Sequence, residues 1–208
     1  PAQDGLAKVT YRNVDELWFR LVEVDLEFEQ DHDNREKLLR ALSSMSPIHT
    51  WNNSLPESGD HQSHSIETIV TGLGEGHYYL LASSEPDFKN KDGKAYARIL
   101  VSKVGVEISA HKAGATLINL SDRDNGKALK GLQVVHYLIA YNSGNRKRER
   151  QEVGRYTSDK DGTLVIKDVP NNGRHELEVV QESHTVRESF YPRNIVPDTR
   201  SSEQVHFF

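Results

Sequence analysis

His61 and His64, three residues apart, are the sequence's nearest approach to a metal-ligand pair. Zinc takes such pairs from a helix or a tight turn, with further Cys, His or carboxylate ligands close by. Here Ser58, Gly59 and Asp60 precede, a strand-like run follows, and the chain has no cysteine. The pair therefore reads as solvated loop histidines. Three Asp-rich stretches begin at Asp87, Asp122 and Asp159 and have the look of calcium loops. A calcium loop of the EF-hand type needs a Glu at its twelfth position. That position falls on Arg98, Gln133 and Pro170, so all three read as turns whose Asp side chains bond their own backbone. No G-x-S-x-G, H-E-x-x-H or G-x-x-x-x-G-K-[ST] occurs, and Gly72, Gly74 and Gly76 lack the spacing of a dinucleotide-binding loop. The sequence offers no catalytic, cofactor-binding or metal-ligating residue, and it reads as a protein that is not an enzyme.

Two further groups bear on binding. Arg146, Lys147, Arg148 and Arg150 form a basic cluster, which can hold phosphate or an acidic partner. It follows the turn residues Ser143-Gly144-Asn145, so the expectation is a solvated, exposed hairpin tip. A carbohydrate- or peptide-binding module would instead gather aromatic side chains on one face. The available residues are Trp18, Trp51, Tyr78, Tyr79, Tyr137 and Tyr141.

Composition narrows the classes. The net charge of −5 over 208 residues argues against a nucleic-acid surface. Mean hydropathy is −0.67, and no apolar run approaches the ~18 residues of a membrane span. Without cysteine there are no disulfides and no thiolate chemistry. The chain opens on Pro1-Ala2-Gln3-Asp4 and reads as a piece excised from something longer, with targeting segments removed.

The elements that position these residues are mostly strands. Between Lys94 and Ala110 a period of two runs on, interrupted at Ser102-Lys103. One strand of that length would far exceed the usual five or six residues. Two strands joined end to end, closing one domain and opening the next, is the simpler reading. In the first half, strands are expected at 7–13, 16–26, 64–73 and 77–83. Leu17, Phe19 and Leu21 alternate with Trp18, Val22 and Val24, so both faces are apolar, as in a central strand or one switching faces at a bulge. One helix is expected over 33–45, capped by Asp33 with Glu36 reaching back, its stripe being Leu38, Leu39, Leu42 and Met45. In the second half, strands are expected at 104–110, 116–121, 132–141, 152–157, 163–168, 176–182 and 185–191. Such spacing is that of an antiparallel sandwich.

Several motifs resemble the bacterial alpha-2-macroglobulin-like proteins. Asp122, Gly126, Lys127, Leu129, Gly131 and Val134 follow that family's D-x-x-x-G-K-x-L-x-G-x-x-V turn, with Asn125 and Ala128 where it usually has Thr and Pro. Tyr11, Asn13, Val14, Leu17, Arg20, Val24 and Asp25 match Y-x-N-V-x-x-L-x-x-R-x-x-x-V-D. Leu73, Gly76, Tyr78 and Leu80 match L-x-x-G-x-Y-x-L. The resemblance implies an all-β chain of two tandem antiparallel immunoglobulin-like (macroglobulin-type) sandwich domains, residues 1–102 and 103–202, with one short helix inserted in the first. Residues 203–208 would then begin the next domain, since Val205-His206-Phe207-Phe208 is similar to the strand leading into F-x-D-R-x-x-Y-R-P-G-Q. It further implies non-catalytic scaffold domains of an endopeptidase inhibitor, a protease trap of the cell envelope, periplasmic or at the cell surface. Their partners would be neighbouring domains of the parent chain, and proteases through the parent. The family's reactive thioester needs a Cys, which is absent here. A carbohydrate- or peptide-binding sandwich and an adhesin-type spacer are the alternatives.

Overall fold

The computed structural model describes residues 3–26, 28, 34–56, 59–90, 92–111, 115–144, 147–170, 173–181 and 185–192. The chain divides into two compact units, one reaching Val101 and the other starting at Ser102. The expected strand at 203–208, Arg146 and Asp33 lie outside the described residues.

The first unit contains β1 (Gln3–Tyr11), β2 (Glu16–Val24), α1 (Arg35–Ser44), β3 (His49–Ser54), β4 (His64–Leu73), β5 (Gly76–Ser83) and β6 (Lys94–Val101). All pairing is antiparallel, in a sheet β1-β4 and a sheet β3-β2-β5-β6. The central position of β2 explains its two apolar rows. Leu17, Phe19 and Leu21 face β1-β4 and join Ala7, Val70, Tyr78, Leu80 and Ile99 in the sandwich core. Val22, with Trp18 and Val24 beside it, turns to the opposite face, where Leu38 and Leu42 of α1 close over Tyr79, Leu81 and Phe88. The apolar stripe of α1 thus docks it outside the sandwich. Its cap differs from the expected one. Asn34 is the N-cap and accepts from Lys37 N at 2.8 Å. A start one residue later moves Glu36 out of reach of the cap, and it pairs with Arg40 at 3.0 Å. Arg20 is the polar exception under α1. Its guanidinium donates to Ser43 O at 3.3 Å and Pro86 O at 3.2 Å, and lies 4.2 Å from the Phe88 ring centre.

The second unit contains β7 (Val104–Ala110), β8 (Thr116–Asp122), β9 (Gln133–Asn142), β10 (Lys147–Thr157), β11 (Thr163–Ile166), β12 (Arg174–Val180) and β13 (Thr185–Phe190). Sheets β11-β8-β7 and β10-β9-β12-β13 are both antiparallel. Val104, Ile118, Leu120, Val134, Leu164, Ile166, Leu177, Val179 and Val186 are buried. The 159–162 turn packs against β8. Gly162 has φ +72°, and a Cβ there would meet Leu120 O at 2.4 Å, so glycine is required on both counts. Ser158 fastens the 129–132 turn, donating to Leu129 O at 2.6 Å and accepting from Leu132 N at 3.0 Å.

β10 corrects one expectation. It starts at Lys147, not near residue 152, so Arg148 and Arg150 lie within a strand, opposite Tyr141 and Ile139. They are not a hairpin tip.

Candidate functional site

The charge-richest arrangement sits on β10-β9-β12-β13. Residues paired directly across antiparallel strands share a face. One face carries Val134, His136 and Leu138 of β9 with His175, Leu177 and Val179 of β12; the other carries Tyr137, Arg150, Glu176, Glu178 and Arg187. The first is the core face. Alternation along β9 and β12 therefore sends the carboxylates and guanidiniums outward together.

On that outward face Arg150 Nε donates to Glu176 Oε1 at 2.8 Å, its Nη2 lies 2.5 Å from Glu178 Oε1, and its guanidinium stacks over Tyr137 with 3.3 Å to the ring centre. Arg187 bridges the same carboxylates, with Nη2 at 2.5 Å from Glu178 and Nε at 3.1 Å from Glu176. Arg174 Nη2 reaches Glu176 Oε2 at 3.4 Å. Side chains of Glu176 and Arg187 are only 5% and 7% exposed, and that of Arg150 is 22% exposed. Three guanidiniums meeting two carboxylates make a network in which each charge has an opposite charge beside it, with one positive charge in excess overall. It is suited to fixing strand register and hiding Tyr137. It presents no nucleophile.

Beneath it lies a buried imidazole pair. His136 Nε2 and His175 Nδ1 are 2.8 Å apart, and His175 Nε2 is 2.9 Å from Pro170 O. A carbonyl only accepts, so His175 Nε2 carries the proton and donates to it. In the neutral ring Nδ1 must then accept, and His136 Nε2–H donates to it. His175 and His136 are 0% and 2% exposed and pack against Phe190, with Tyr156 beside His136. Burial, and then the charge of His175, push the His136 pKa from 6.5 down to about 4. His136 is neutral near pH 7, and both rings are shut away from solvent. Sequence reading missed both it and the arginine network, since their partners come from strands far apart in the chain. The available signal was an adjacent His and Tyr, which a strand sends to opposite faces, within an apolar run, Val134 to Tyr141.

The other residues singled out in the sequence are dispersed. His64 Nε2 pairs with Asp60 at 2.9 Å, while His61 Nδ1 goes to Asn13 Oδ1 at 3.2 Å, so the two rings do not converge. Among the described residues, no group of three or more His, Asp or Glu side chains could hold a metal ion. Asp122 accepts from Asp124 N and Asn125 N, and Asp87 from Lys89 N. Asp159 accepts from Asp161 N and from both N and Oγ1 of Thr163. The bonds from Thr163 are what chiefly hold its carboxyl below the usual range. The aromatic residues do not assemble either. Tyr78 and Tyr79 are buried. Trp51 stacks on Phe19 and donates to Thr68 Oγ1 at 2.9 Å. Trp18 packs into the α1 cluster, Tyr137 lies under Arg150, and Tyr141 is 63% exposed. A cleft of about 180 Å³ opens between β3 and β4, bounded by Leu21, Trp51, Ile69 and Val70.

Comparison with known proteins bears on the fold. No protein-family model matches the sequence, and no curated protein matches it. A crystal structure of native alpha-2-macroglobulin from Escherichia coli spanning domains MG0, NIE and MG1 is similar, with TM-score 0.59 and 16% identity over 90% of this chain. This chain covers 63% of that one, less than two thirds. A crystal structure of the same protein spanning NIE and MG1 matches with TM-score 0.56 and 16% identity, over 90% of this chain and 96% of that one. At this identity the likeness is one of fold: antiparallel β-sandwich units of the macroglobulin kind, with one helix in the first.

Proposed function

We propose that the chain is a pair of non-catalytic scaffold modules of an alpha-2-macroglobulin-like endopeptidase inhibitor, acting in the cell envelope as part of a protease trap. The observation that carries this reading is the match of both units, in order, to 96% of the NIE–MG1 structure of the E. coli protein. Three motif stretches in the sequence point the same way. On this reading residues 1–102 and 103–202 are successive domains and 203–208 lead into the next. Their partners are neighbouring domains of one longer chain, and proteases are met only through the whole assembly.

The chemistry of the described residues agrees with a positional task. Most charged groups of the β10-β9-β12-β13 face are spent on each other, buried His136 is neutral, and the Asp159 turn is internally bonded. Trapping requires a cleavable segment and two conformational states with different contacts. The test is to incubate the 208-residue chain with several endoproteases and follow cleavage of a large protein substrate. The expected result is unchanged cleavage. Protection of the substrate at stoichiometric ratio would overturn the scaffold reading and give the chain an inhibitory surface of its own.

A further inference from the structure

The outward face of β10-β9-β12-β13 holds more guanidiniums than carboxylates. Register places Arg148, Arg150 and Arg155 of β10, Arg174 of β12 and Arg187 of β13 on it, against Glu152, Glu176 and Glu178. Two positive charges are thus in excess among the described residues of this face, on a chain whose net charge is −5. Pairing shows which two. Arg155 is held by Glu152 at 2.8 Å, and Arg150 and Arg187 take Glu176 and Glu178. Arg174 has only a 3.4 Å contact with Glu176, a carboxylate the other two already hold at 2.8 and 3.1 Å. Its Nε finds no acceptor among the described residues. Arg148 is exposed and meets no carboxylate among them.

Apolar side chains lie between these two cations. Ile139 stands between Arg150 and Arg174 in one cross-strand row, and Tyr141 is opposite Arg148 in the next. Ile139 is half-buried and Tyr141 is 63% exposed. Tyrosine beside arginine is the composition of contact surfaces, where rigid rings and forked donors concentrate binding energy. The register also sets a distance. One row to the next is two residues along a strand, about 7 Å, and β10 to β12 spans two strand spacings, about 10 Å. The backbones of Arg148 and Arg174 are therefore about 12 Å apart. An extended chain covers about 13 Å in four residues and turns residues i, i+2 and i+4 to one side.

We propose that Arg148, Tyr141, Ile139 and Arg174 form a docking surface for an extended acidic segment of a partner protein. The segment carries two carboxylates four residues apart and an apolar side chain midway. Charge complementarity selects it, since the two surplus guanidiniums each take one carboxylate through the planar fork. The middle side chain covers Ile139 and Tyr141, which a free phosphate would leave bare. Glu176 already holds Arg174 from one side, so that cation loses little freedom on binding. The surface is additional to the scaffold role and does not depend on it.

The probe is a synthetic peptide, Gly-Glu-Ser-Leu-Ser-Glu-Gly, blocked at both ends and titrated into the full chain. NMR follows the arginine Nε–H groups and the Tyr141 ring. Saturable shifts at Arg148, Arg174 and Tyr141 are expected, weakening as salt is raised because exposed charges are screened. Arg148→Glu and Tyr141→Ser change exposed residues. Each is expected to weaken binding at least fivefold while the thermal midpoint stays put. Arg12→Glu makes the same charge change at an exposed position of the first unit and should leave the affinity within twofold. Controls are the peptide with Gln for both Glu, a scrambled peptide with the two Glu adjacent, and inorganic phosphate. Equal binding by any of these, an equal loss with Arg12→Glu, or no saturable shift would overturn the proposal. So would the same shifts appearing with protein concentration alone, which would put a second copy on the face.

Discussion

On the outward face of β3-β2-β5-β6, Trp18, Val22, Tyr79, Leu81 and Tyr96 meet a helix. On the same face of β10-β9-β12-β13, Tyr137 meets guanidiniums and carboxylates that leave Glu176 5% exposed and Arg187 7% exposed. Both faces are closed to water by different physics. Apolar burial under α1 is non-directional and scales with area. An ionic lattice works only while every charge keeps its partner, because desolvation penalises each one left alone. The first solution should therefore be sensitive to volume, and the second to charge.

Glu176→Ala should give the largest effect. It leaves Arg150 and Arg187 with Glu178 alone and takes from Arg174 the carboxylate it reaches. Breaking a buried pair from one side costs about 3–5 kcal/mol. Removing charge from both sides, as in Glu176→Leu with Arg187→Leu, should cost far less. The readout separates the units, since both tryptophans, Trp18 and Trp51, lie in the first. In urea, far-UV circular dichroism should shift early while tryptophan fluorescence does not. A single-mutant loss under about 1 kcal/mol would place the lattice with ordinary surface ion pairs.

Leu42→Ala tests the other face. Leu42 is 0% exposed among Val22, Tyr79, Leu81 and Phe88. Its truncation should destabilise the first unit by about 2–5 kcal/mol. Here tryptophan fluorescence should shift and the second unit's amide exchange should stay unchanged. An unaltered fluorescence midpoint would mean that the sheet does not depend on α1 to close its face.

The same contrast explains what could be read from the sequence. Apolar periodicity is local, so β2 with its two apolar rows, the stripe of α1 and most strands of both units were legible, the largely polar β3 excepted. The lattice was not. Lys147 to Glu152 has no apolar alternation, and it is a strand because β9 pairs with it and because Arg150 finds Glu176 across the sheet. That partner is 26 residues away in sequence. His136 and His175 are 39 apart. Their pairing follows from register, which no single stretch encodes. The cap on α1 was displaced by one residue because adjacent Asp33 and Asn34 are equivalent cap formers.

Acid should sharpen the comparison at the second unit. His136 titrates near 6.5 when exposed and near 4 when folded. Between those values the unfolded chain binds a proton that the folded chain does not. Stability therefore falls as pH drops below 6.5 and levels off below about 4, by about 3 kcal/mol in all at ~1.4 kcal/mol per unit. Urea midpoints of the second unit at pH 7 and pH 4.5 should differ accordingly, and His136→Phe should flatten that part of the slope. An identical pH dependence in the variant would mean that the acid sensitivity comes from the carboxylates instead.

The smallest effect concerns how α1 is held apart from its stripe. Ten residues is too short for a helix to persist in water by itself, so α1 depends on the sheet it covers. Its first turn is nonetheless closed by Asn34, whose Oδ1 accepts from Lys37 N at 2.8 Å. Asn34→Ala removes that acceptor and should cost about 1 kcal/mol. Asn34→Asp keeps an acceptor and adds a negative charge at the positive end of the helix dipole, so it should match or slightly exceed the parent in stability. Both are measured from the tryptophan-detected midpoint in urea. The ratio to Leu42→Ala carries the information. A small cap effect beside a large Leu42 effect means that tertiary burial holds the helix and the cap only trims its end. Comparable losses would mean that fraying the first turn undocks Leu38 along with it, making cap and stripe one cooperative unit on the face that the second unit closes with charge.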